Sequence, residues 1–367
     1  MRKFIAAVLV ILIFTCSSAG AEAPDSLSAR SAVLMDRASG RLLYEKNGYE
    51  RLSMASTTKI MTAILVVENC SMEDIVTISP VASGVEGSSL WLEIGEQLTV
   101  EQLLYGLMLK SGNDAAVALA EHTAGSVDAF VVMMNEKAKK IGMFNTHFET
   151  PNGLDSDEHY TTAYDMAVMT CYAMELPQLR EIVSTKETTI PWAGNTWDRA
   201  LKNHNKLLWQ YEGCTGVKTG FTKKSGRCLV SAAMRDGREL VAVTLNAPDD
   251  WSDHTKLLDY GFEDFETAVL TREGQLWETM TLDSDEIGLV CGSEFVTSLK
   301  GIEMENVEYR TEPKDFSLPI NKGQILARLY IFYEGEFLGG VDLCADRDLG
   351  SKEEFFDYLI KIAKELM

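Results

Sequence analysis

The sequence predicts an α/β fold, more narrowly α+β, with helices packed against an antiparallel sheet and a small all-β domain following it. Three observations carry this expectation. Apolar residues recur at helical spacing through much of 56–175. Three consecutive apolar runs separated by short polar turns occupy 215–246, and short alternating runs fill the chain beyond about 267.

In chain order, Met1-Arg2-Lys3 precedes an apolar stretch over 4–14 and small residues at Ala19-Gly20-Ala21 and Ala21-Glu22-Ala23, the pattern of a signal peptide over 1–23. The apolar run is shorter than the roughly 20 residues that span a bilayer, so cleavage is favoured over anchoring. Lipidation at Cys16 is the weaker reading, because Ile13-Phe14-Thr15 lacks the small residues that should precede it. Residues 31–46, SAVLMDRASGRLLYEK, place two apolar runs around Ala38-Ser39-Gly40 and predict a hairpin.

From 56 to 69, Ile60, Met61, Ala63, Ile64 and Val67 predict a helix that starts at or just after Ser56. A second helix over 100–109 stops at KSGN and a third runs over 113–122, which leaves Ser111-Gly112-Asn113 in a tight connection. Further helices are expected at 127–141 and 161–175, with TPNGLD (150–155) looped between them. TGVKTGFT, GRCLVSAAMR and RELVAVTLN read as three antiparallel strands joined by KKSG and DG turns. A short helix at 253–260 closes a main domain over 24–265, and the all-β domain takes 266–346. The last stretch, within 347–367, sets Phe355, Phe356, Leu359, Ile360 and Ile362 on one helical side and Glu354, Asp357, Lys361 and Lys364 on the other. Such a stripe packs on its own domain or lies in a membrane interface. The terminal position and bulky apolar face favour the membrane, whereas the mixed polar face does not.

The formal charge of −21 argues against a nucleic-acid partner, which demands a basic footprint. After the leader, Cys70, Cys171, Cys214, Cys228, Cys291 and Cys344 are sparse and irregular, unlike a small disulfide framework. Cys214 and Cys228 flank one predicted strand, but a turn near 223–226 would not set them opposite each other, so free thiols are expected. No C-x-x-C, H-x-H or H-x-x-x-H occurs, so neither metal nor cofactor is expected.

Three short motifs carry chemistry. Ser56 and Lys59 are three residues apart, which on a helix sets both side chains on one face. A serine hydroxyl needs a base, and a lysine amine can be that base once its proton is removed. Free lysine titrates near 10.4, so neutrality near pH 7 asks for a shift of roughly three units, about 4 kcal/mol, from burial or a nearby cation. Lys218, in Lys218-Thr219-Gly220 on a predicted strand, is the cation this reading favours, and Ser111 with Asn113 lies on a loop. Gly220 would let an extended substrate backbone approach the strand edge. Taken alone, Ser56 reads more readily as a helix cap, Ser111-Gly112-Asn113 as a turn, and Lys218 as an exposed strand lysine. S-x-x-K and S-x-N are each common by chance and K-T-G is rarer by roughly tenfold; it is their joint order that is uncommon.

With MASTTKIMTA, LMLKSGNDAAVALAEH, TPNGLD, HYTTAYDMA and GVKTGFT in place, the chain resembles the low-molecular-mass penicillin-binding proteins that are serine-type D-Ala-D-Ala carboxypeptidases of the peptidase S11 kind. The resemblance implies a β-lactamase/transpeptidase-like main domain with a helical subdomain. It implies peptidoglycan stem peptides as substrate, β-lactams as inhibitors, and work at the extracytoplasmic face of the membrane or in the cell wall. It implies Ser56 as nucleophile, Lys59 as base, Ser111 as proton relay and Asn113 orienting Lys59 and the substrate amide. Lys218 and Thr219 would hold the carboxylate, and the N–H groups of Ser56 and Phe221, beside Gly220, would form the oxyanion hole. The family often adds an arginine near the helix after the last core strand; here DDWSDHTKLLDYGF offers His254 and Lys256 in its stead. A β-lactamase would need a carboxylate poised for deacylation, and none is evident. A non-catalytic wall- or β-lactam-binding protein would have no use for the intact Ser56, Lys59 and Lys218.

Overall fold

Residues 23–24, 26–282 and 285–350 are described by a computed structural model; the expected signal peptide, apart from Ala23, and residues 351–367 of the expected terminal helix lie outside the described residues. The hairpin at 31–46 forms as β1 (Ser31–Asp36) and β2 (Leu42–Lys46). A 3-10 turn at Ala55–Thr58 then leads into α1 (Lys59–Asn69). A small ladder of β3 (Ile75–Thr77) with β4 (Gln97–Thr99) precedes α2 (Val100–Leu109), where Thr99 and Gln102 close a capping box. Next come α3 (Asn113–Ala124), ended by Gly125 in a left-handed conformation, and α4 (Val127–Lys140), capped by Ser126 and carrying three lysines in its last turn. Helix α5 (Ala163–Ala173) is capped by Thr162.

The sequence reading missed α6 (Pro177–Ser184), because Pro177 reads as a breaker but stands at a helix start, where its missing N–H costs nothing. It also missed the ladder of β5 (Glu187–Ile190) with β6 (Arg199–Lys202) and the single turn α7 (Leu207–Gln210). The three expected strands follow as β7 (Cys214–Thr222), β8 (Gly226–Arg235) and β9 (Arg238–Leu245). Helix α8 runs from Asp250–Asp264, longer than the expected 253–260. Its polar first turn looked like loop, but Asp250 and Asp253 suit the positive end of a helix, and Asp253 accepts from Ser28 N, Ser28 Oγ and Ala29 N at 2.8–2.9 Å.

The five-stranded sheet runs β2-β1-β9-β8-β7 and every pairing is antiparallel. Strand periodicity sorts its two faces. Val33, Met35, Val230, Ala232, Val241 and Val243 join the large core shared with α1–α5, whereas Ala32, Leu34, Leu229, Leu240 and Ala242 pack under Leu257 and Leu258 of α8. Strand β7 stands at the sheet edge, beside the turn that carries Ser56.

Past α8, β10 (Glu266–Thr271) pairs with β13 (Phe295–Leu299). A second sheet of order β11-β12-β16-β15-β14 is built from β11 (Leu276–Leu282), β12 (Asp285–Cys291), β14 (Val307–Pro313), β15 (Ile325–Tyr333) and β16 (Glu336–Ala345). It has its own core around Ile287, Leu329, Ile331 and Leu343. Buried polar contacts join the two parts: Arg41 donates to Ser298 O at 2.6 Å and pairs with Glu303 at 2.7 Å, and Ser298 Oγ donates to Asp36.

The loop Pro151-Asn152-Gly153 sits against the Ser56 turn. Gly153 has φ +83, and a Cβ there would lie 2.0 Å from Ala55 O. Gly153→Ala should therefore cost about 3 kcal/mol, strain plus a backbone clash. Gly142→Ala shares a positive φ of +92 but meets nothing within 4 Å, and should cost only about 1 kcal/mol. Urea unfolding compares them; equal losses would contradict the steric account.

Candidate active site

Ser56 caps nothing. Helix α1 begins after it with no side-chain cap, and Thr57 Oγ1 and Thr58 Oγ1 donate to the turn's own carbonyls, Met54 O at 2.6 Å and Ala55 O at 2.8 Å. Ser56 Oγ instead lies 2.9 Å from Lys59 Nζ. The fully buried amine has two further partners, Asn113 Oδ1 at 2.7 Å and the backbone oxygen of Asn152 at 2.6 Å. A neutral amine has two hydrogens and one lone pair. The two carbonyl-type oxygens take the hydrogens, so the lone pair faces the Ser56 hydroxyl.

Burial is the largest cause holding Lys59 well below the ordinary lysine range, the Lys218 charge comes second, and Asp114 opposes both. The sequence reading favoured Lys218 as the main cause; desolvation outweighs it. Burial also brings Lys218 itself down, to about 7. Asp114 is occupied elsewhere, accepting from Ser89 Oγ at 2.6 Å and Leu90 N at 2.8 Å, which ties the 79–96 loop to the start of α3.

Ser111 has φ +62, and its Oγ is buried without a hydrogen-bond partner among the described residues. Asn113 Nδ2 donates to Glu86 O at 2.6 Å, so one of its two amide hydrogens is spent on the loop above. Gly87 makes this approach possible, since a Cβ there would lie 2.7 Å from Asn113 Nδ2. Gly220 serves a similar end. A Cβ on it would come within 3.1 Å of Ser56 N and Thr57 N, so its bareness lets β7 pack on the Ser56 turn, a use the sequence reading assigned to substrate approach.

Ser56, Ser111, Thr219, Gly220 and Phe221 line one cleft of about 760 Å³, while Lys59, Asn113 and Lys218 lie beneath its surface. Lys218 Nζ donates to Thr219 O at 3.0 Å. Neither His254 nor Lys256 reaches the cleft: His254 is sealed between Ser231 and Thr244, and Lys256 Nζ donates to Ser26 O at 3.0 Å. The arginine that does line it is Arg227 of β8, opposite Phe221, with Nε and Nη2 at 3.0 and 2.7 Å from Asp250 Oδ1.

Three more contributors escaped the sequence reading. Asn152 acts through its backbone, which no side-chain pattern signals. His159 Nδ1 accepts from Glu149 N at 2.9 Å, which leaves Nε2 to donate to Thr58 Oγ1 at 2.8 Å and pin this loop to the Ser56 turn; burial lowers its pKa to about 4. His204 lines the cleft and is likewise lowered to about 4, by burial first and then by Lys218 and Lys110. Cys228 pairs across from Gly220 and Cys214 from Ala233, and both thiols are free, as expected.

The lysine titration has a stability signature. Between about 7 and the ordinary 10.5 the unfolded chain holds the Lys218 proton and the folded chain does not. Stability therefore rises with pH across that window, by up to about 1.4 kcal/mol per unit. Lys218→Met should reduce the rise in urea midpoint between about pH 7 and 8.5, with the remainder due to Lys59; an unchanged slope would refute the assignment.

A family model described as D-alanyl-D-alanine carboxypeptidase, peptidase S11, matches residues 18–249. The chain is 38% identical to D-alanyl-D-alanine carboxypeptidase DacF of Bacillus subtilis (strain 168), over 90% of this chain and 88% of that one. It is 34% identical to D-alanyl-D-alanine carboxypeptidase DacC of Escherichia coli (strain K12), over 84% and 80% of the two chains. Among solved structures, penicillin binding protein 5 from Haemophilus influenzae superposes with a TM-score of 0.78 at 31% identity, covering 89% of this chain and 99% of that one. The family match takes in the Ser56–Lys59 pair, the Ser111–Asn113 turn and the Lys218-Thr219-Gly220 strand, and the chain belongs to the peptidase S11 family of D-alanyl-D-alanine carboxypeptidases.

Proposed function

We propose that this D-alanyl-D-alanine carboxypeptidase is exported, trims the terminal D-alanine from peptidoglycan stem pentapeptides through an acyl-enzyme on Ser56, and is acylated by penicillin at the same oxygen. One observation carries the mechanism: Lys59 Nζ lies 2.9 Å from Ser56 Oγ with Asn113 Oδ1 and Asn152 O at 2.7 and 2.6 Å, so the neutral amine, its two hydrogens taken by those oxygens, has its lone pair left for Ser56.

Ser56 Oγ adds to the carbonyl carbon between the two D-alanines while its proton passes to Lys59. The N–H groups of Ser56 and Phe221 receive the developing oxyanion. Their closeness follows from the packing of Gly220 on the turn. As the C–N bond breaks, the departing amine takes the proton from Lys59 by way of the Ser111 hydroxyl, which has no competing partner among the described residues. Asn113 keeps one amide hydrogen for the substrate. Thr219 holds the terminal carboxylate, with Lys218 beneath it and Arg227 at the rim as the permanent cation. Water, giving its proton to Lys59, then cleaves the ester and restores Ser56. In a β-lactam the leaving nitrogen stays tethered, so the acyl-enzyme persists.

In this reading residues 24–265 form the catalytic domain and 266–346 a separate β domain. The 347–367 segment, on the strength of its amphipathic pattern, makes a peripheral membrane contact at the extracytoplasmic face.

Ser56→Ala should abolish labelling by a fluorescent penicillin and lower D-alanine release from a Lys-D-Ala-D-Ala peptide by at least about 10³-fold. Labelling that survives would remove Ser56 from the role of nucleophile, and sustained nitrocefin turnover by the wild type would favour a β-lactamase. Truncation after residue 350 should move the protein from the membrane to the soluble fraction; no change would make the segment a packing element.

A further inference from the structure

Trp91 stands 73% exposed at φ +59, in the left-handed region where a bulky side chain is strained. Nothing in the mechanism uses it. Two hydrogen bonds hold its backbone there: Trp91 N donates to Ser89 Oγ at 2.8 Å, and Trp91 O accepts from Arg199 Nη2 at 3.2 Å. Strain of this kind persists only where the surroundings enforce it.

The enforcing residue is Arg199 of β6. Its guanidinium grips Glu96 through two bonds, of 2.6 and 2.8 Å, and the two side chains are 4% and 1% exposed. Arg199 Nη1 also donates to Pro191 O at 2.9 Å, and its Cζ lies 5.0 Å from the centre of the Trp192 ring. One buried ion pair thus joins the 88–96 loop, which carries Trp91, to the turn between β5 and β6, which carries the half-buried Trp192. The same turn leaves Trp197 64% exposed. Arg199 and Glu96 cancel each other, so the aromatic surface beside them gains no charge from the pair.

This surface is continuous with the catalytic cleft. Ser88 and Lys202, each three residues from Trp91 or Arg199, line that cleft. Ser88 O accepts from Asn113 N at 2.7 Å, and Glu86 O takes one amide hydrogen of Asn113, whose other is kept for the substrate in the reading above. The scissile amide is the last in the peptide, so any second amide that Asn113 receives lies upstream of it. The loop that carries Trp91 therefore starts beside the upstream part of the substrate. From Ser88 to Trp91 the chain spans at most about 10 Å, and the four stem residues before the departing D-alanine span at most about 14 Å. Whatever is joined to the amino end of the stem peptide comes within reach of Trp91.

We propose that Trp91 and Trp192 form a platform on which the N-acetylated amino-sugar strand bearing the stem peptide stacks. The inference rests on the carboxypeptidase reading above and adds a site for the glycan portion of the same substrate. A pyranose ring offers a face of C–H groups that packs flat on an indole, while its hydroxyl and acetamido groups turn to polar partners. Exposed Glu93 and Asp198, on the same two segments, supply acceptors for those groups and would repel an anionic lipid surface.

D-alanine release is compared for two substrates without a free α-amino group: an N-acetylated stem pentapeptide, and the same pentapeptide carried by its N-acetylglucosaminyl-N-acetylmuramyl disaccharide. The wild type should show a KM roughly tenfold lower for the disaccharide form with kcat unchanged, since contacts far from the reacting carbonyl act equally on ground and transition states. Trp91→Ala and Trp192→Ala, their folds verified by melting temperature, should each raise that KM toward the bare-peptide value and leave both constants for the bare peptide unchanged. Equal KM for the two substrates in the wild type, or an advantage that survives in both variants, overturns the inference alone. A loss shared equally by both substrates would make the tryptophans structural supports and overturn it too. Equal KM together with Trp91-dependent sedimentation on phosphatidylglycerol vesicles would overturn it in favour of a lipid surface. Absence of D-alanine release from either substrate overturns the carboxypeptidase reading, and the inference with it.

Discussion

The direction of one hydrogen bond, between Ser56 Oγ and Lys59 Nζ at 2.9 Å, is the constraint on which the rest of the site depends. An ammonium has three hydrogens, and with Asn113 Oδ1 and Asn152 O taking two, the third would point at Ser56. Ser56 would then be an acceptor and could not lose its proton to Lys59. Removing one proton reverses the bond. The two fixed carbonyl oxygens alone would favour the charged form, so the burial that opposes them has to be large, and the amine is fully buried.

Burial of this depth is achieved by bringing backbone segments unusually close. Gly220 lets the edge strand of the sheet press on the Ser56 turn, and Gly153 lets the 150–155 loop press on it from another side. The same crowding is compatible with two strained residues at the centre, Ala55 at φ +47 and Ser111 at φ +62. Asp114 and His159 fasten the flanking loops, the first by receiving Leu90 N and Ser89 Oγ, the second by bridging Glu149 N to Thr58 Oγ1. Neither reaches the cleft surface, yet each fixes a segment that supplies a partner to Lys59 or Asn113.

Which parts were legible follows from where their information resides. Ser56 and Lys59 meet because a helix sets residues three apart on one face, and the strands at 215–246 declare themselves by alternation and turn chemistry, so both appear in one dimension. Asn152 contributes a carbonyl, which every residue has, so nothing in its side chain advertises the role. Arg227 was invisible for a different reason. Its place in the cleft depends on the β7–β8 register that sets it opposite Phe221 and on Asp250, a residue read as loop. His254 and Lys256 looked available because proximity along the chain was taken for proximity to the cleft; helical phase turns His254 under the sheet. The weight of burial against charge at Lys59 is a property of packing density, which no motif encodes.

The distribution of cation types follows the same logic of protons. Lysine can give up its proton when desolvated, whereas arginine keeps its own in any protein environment. The two positions sealed from water, 59 and 218, are lysines, and burial lowers both. A guanidinium at either would retain its charge in a space that could not solvate it, and at 59 it would have no lone pair to offer. The arginine of the cleft stands at the rim, partly open to solvent, braced by Asp250 and stacked over Trp251. There a permanent charge is the useful property, because a carboxylate is attracted at every pH at which the lysines beneath exchange protons. Proton transfer is thus confined to a residue type that can be discharged by burial, and an arginine at position 59 would end it.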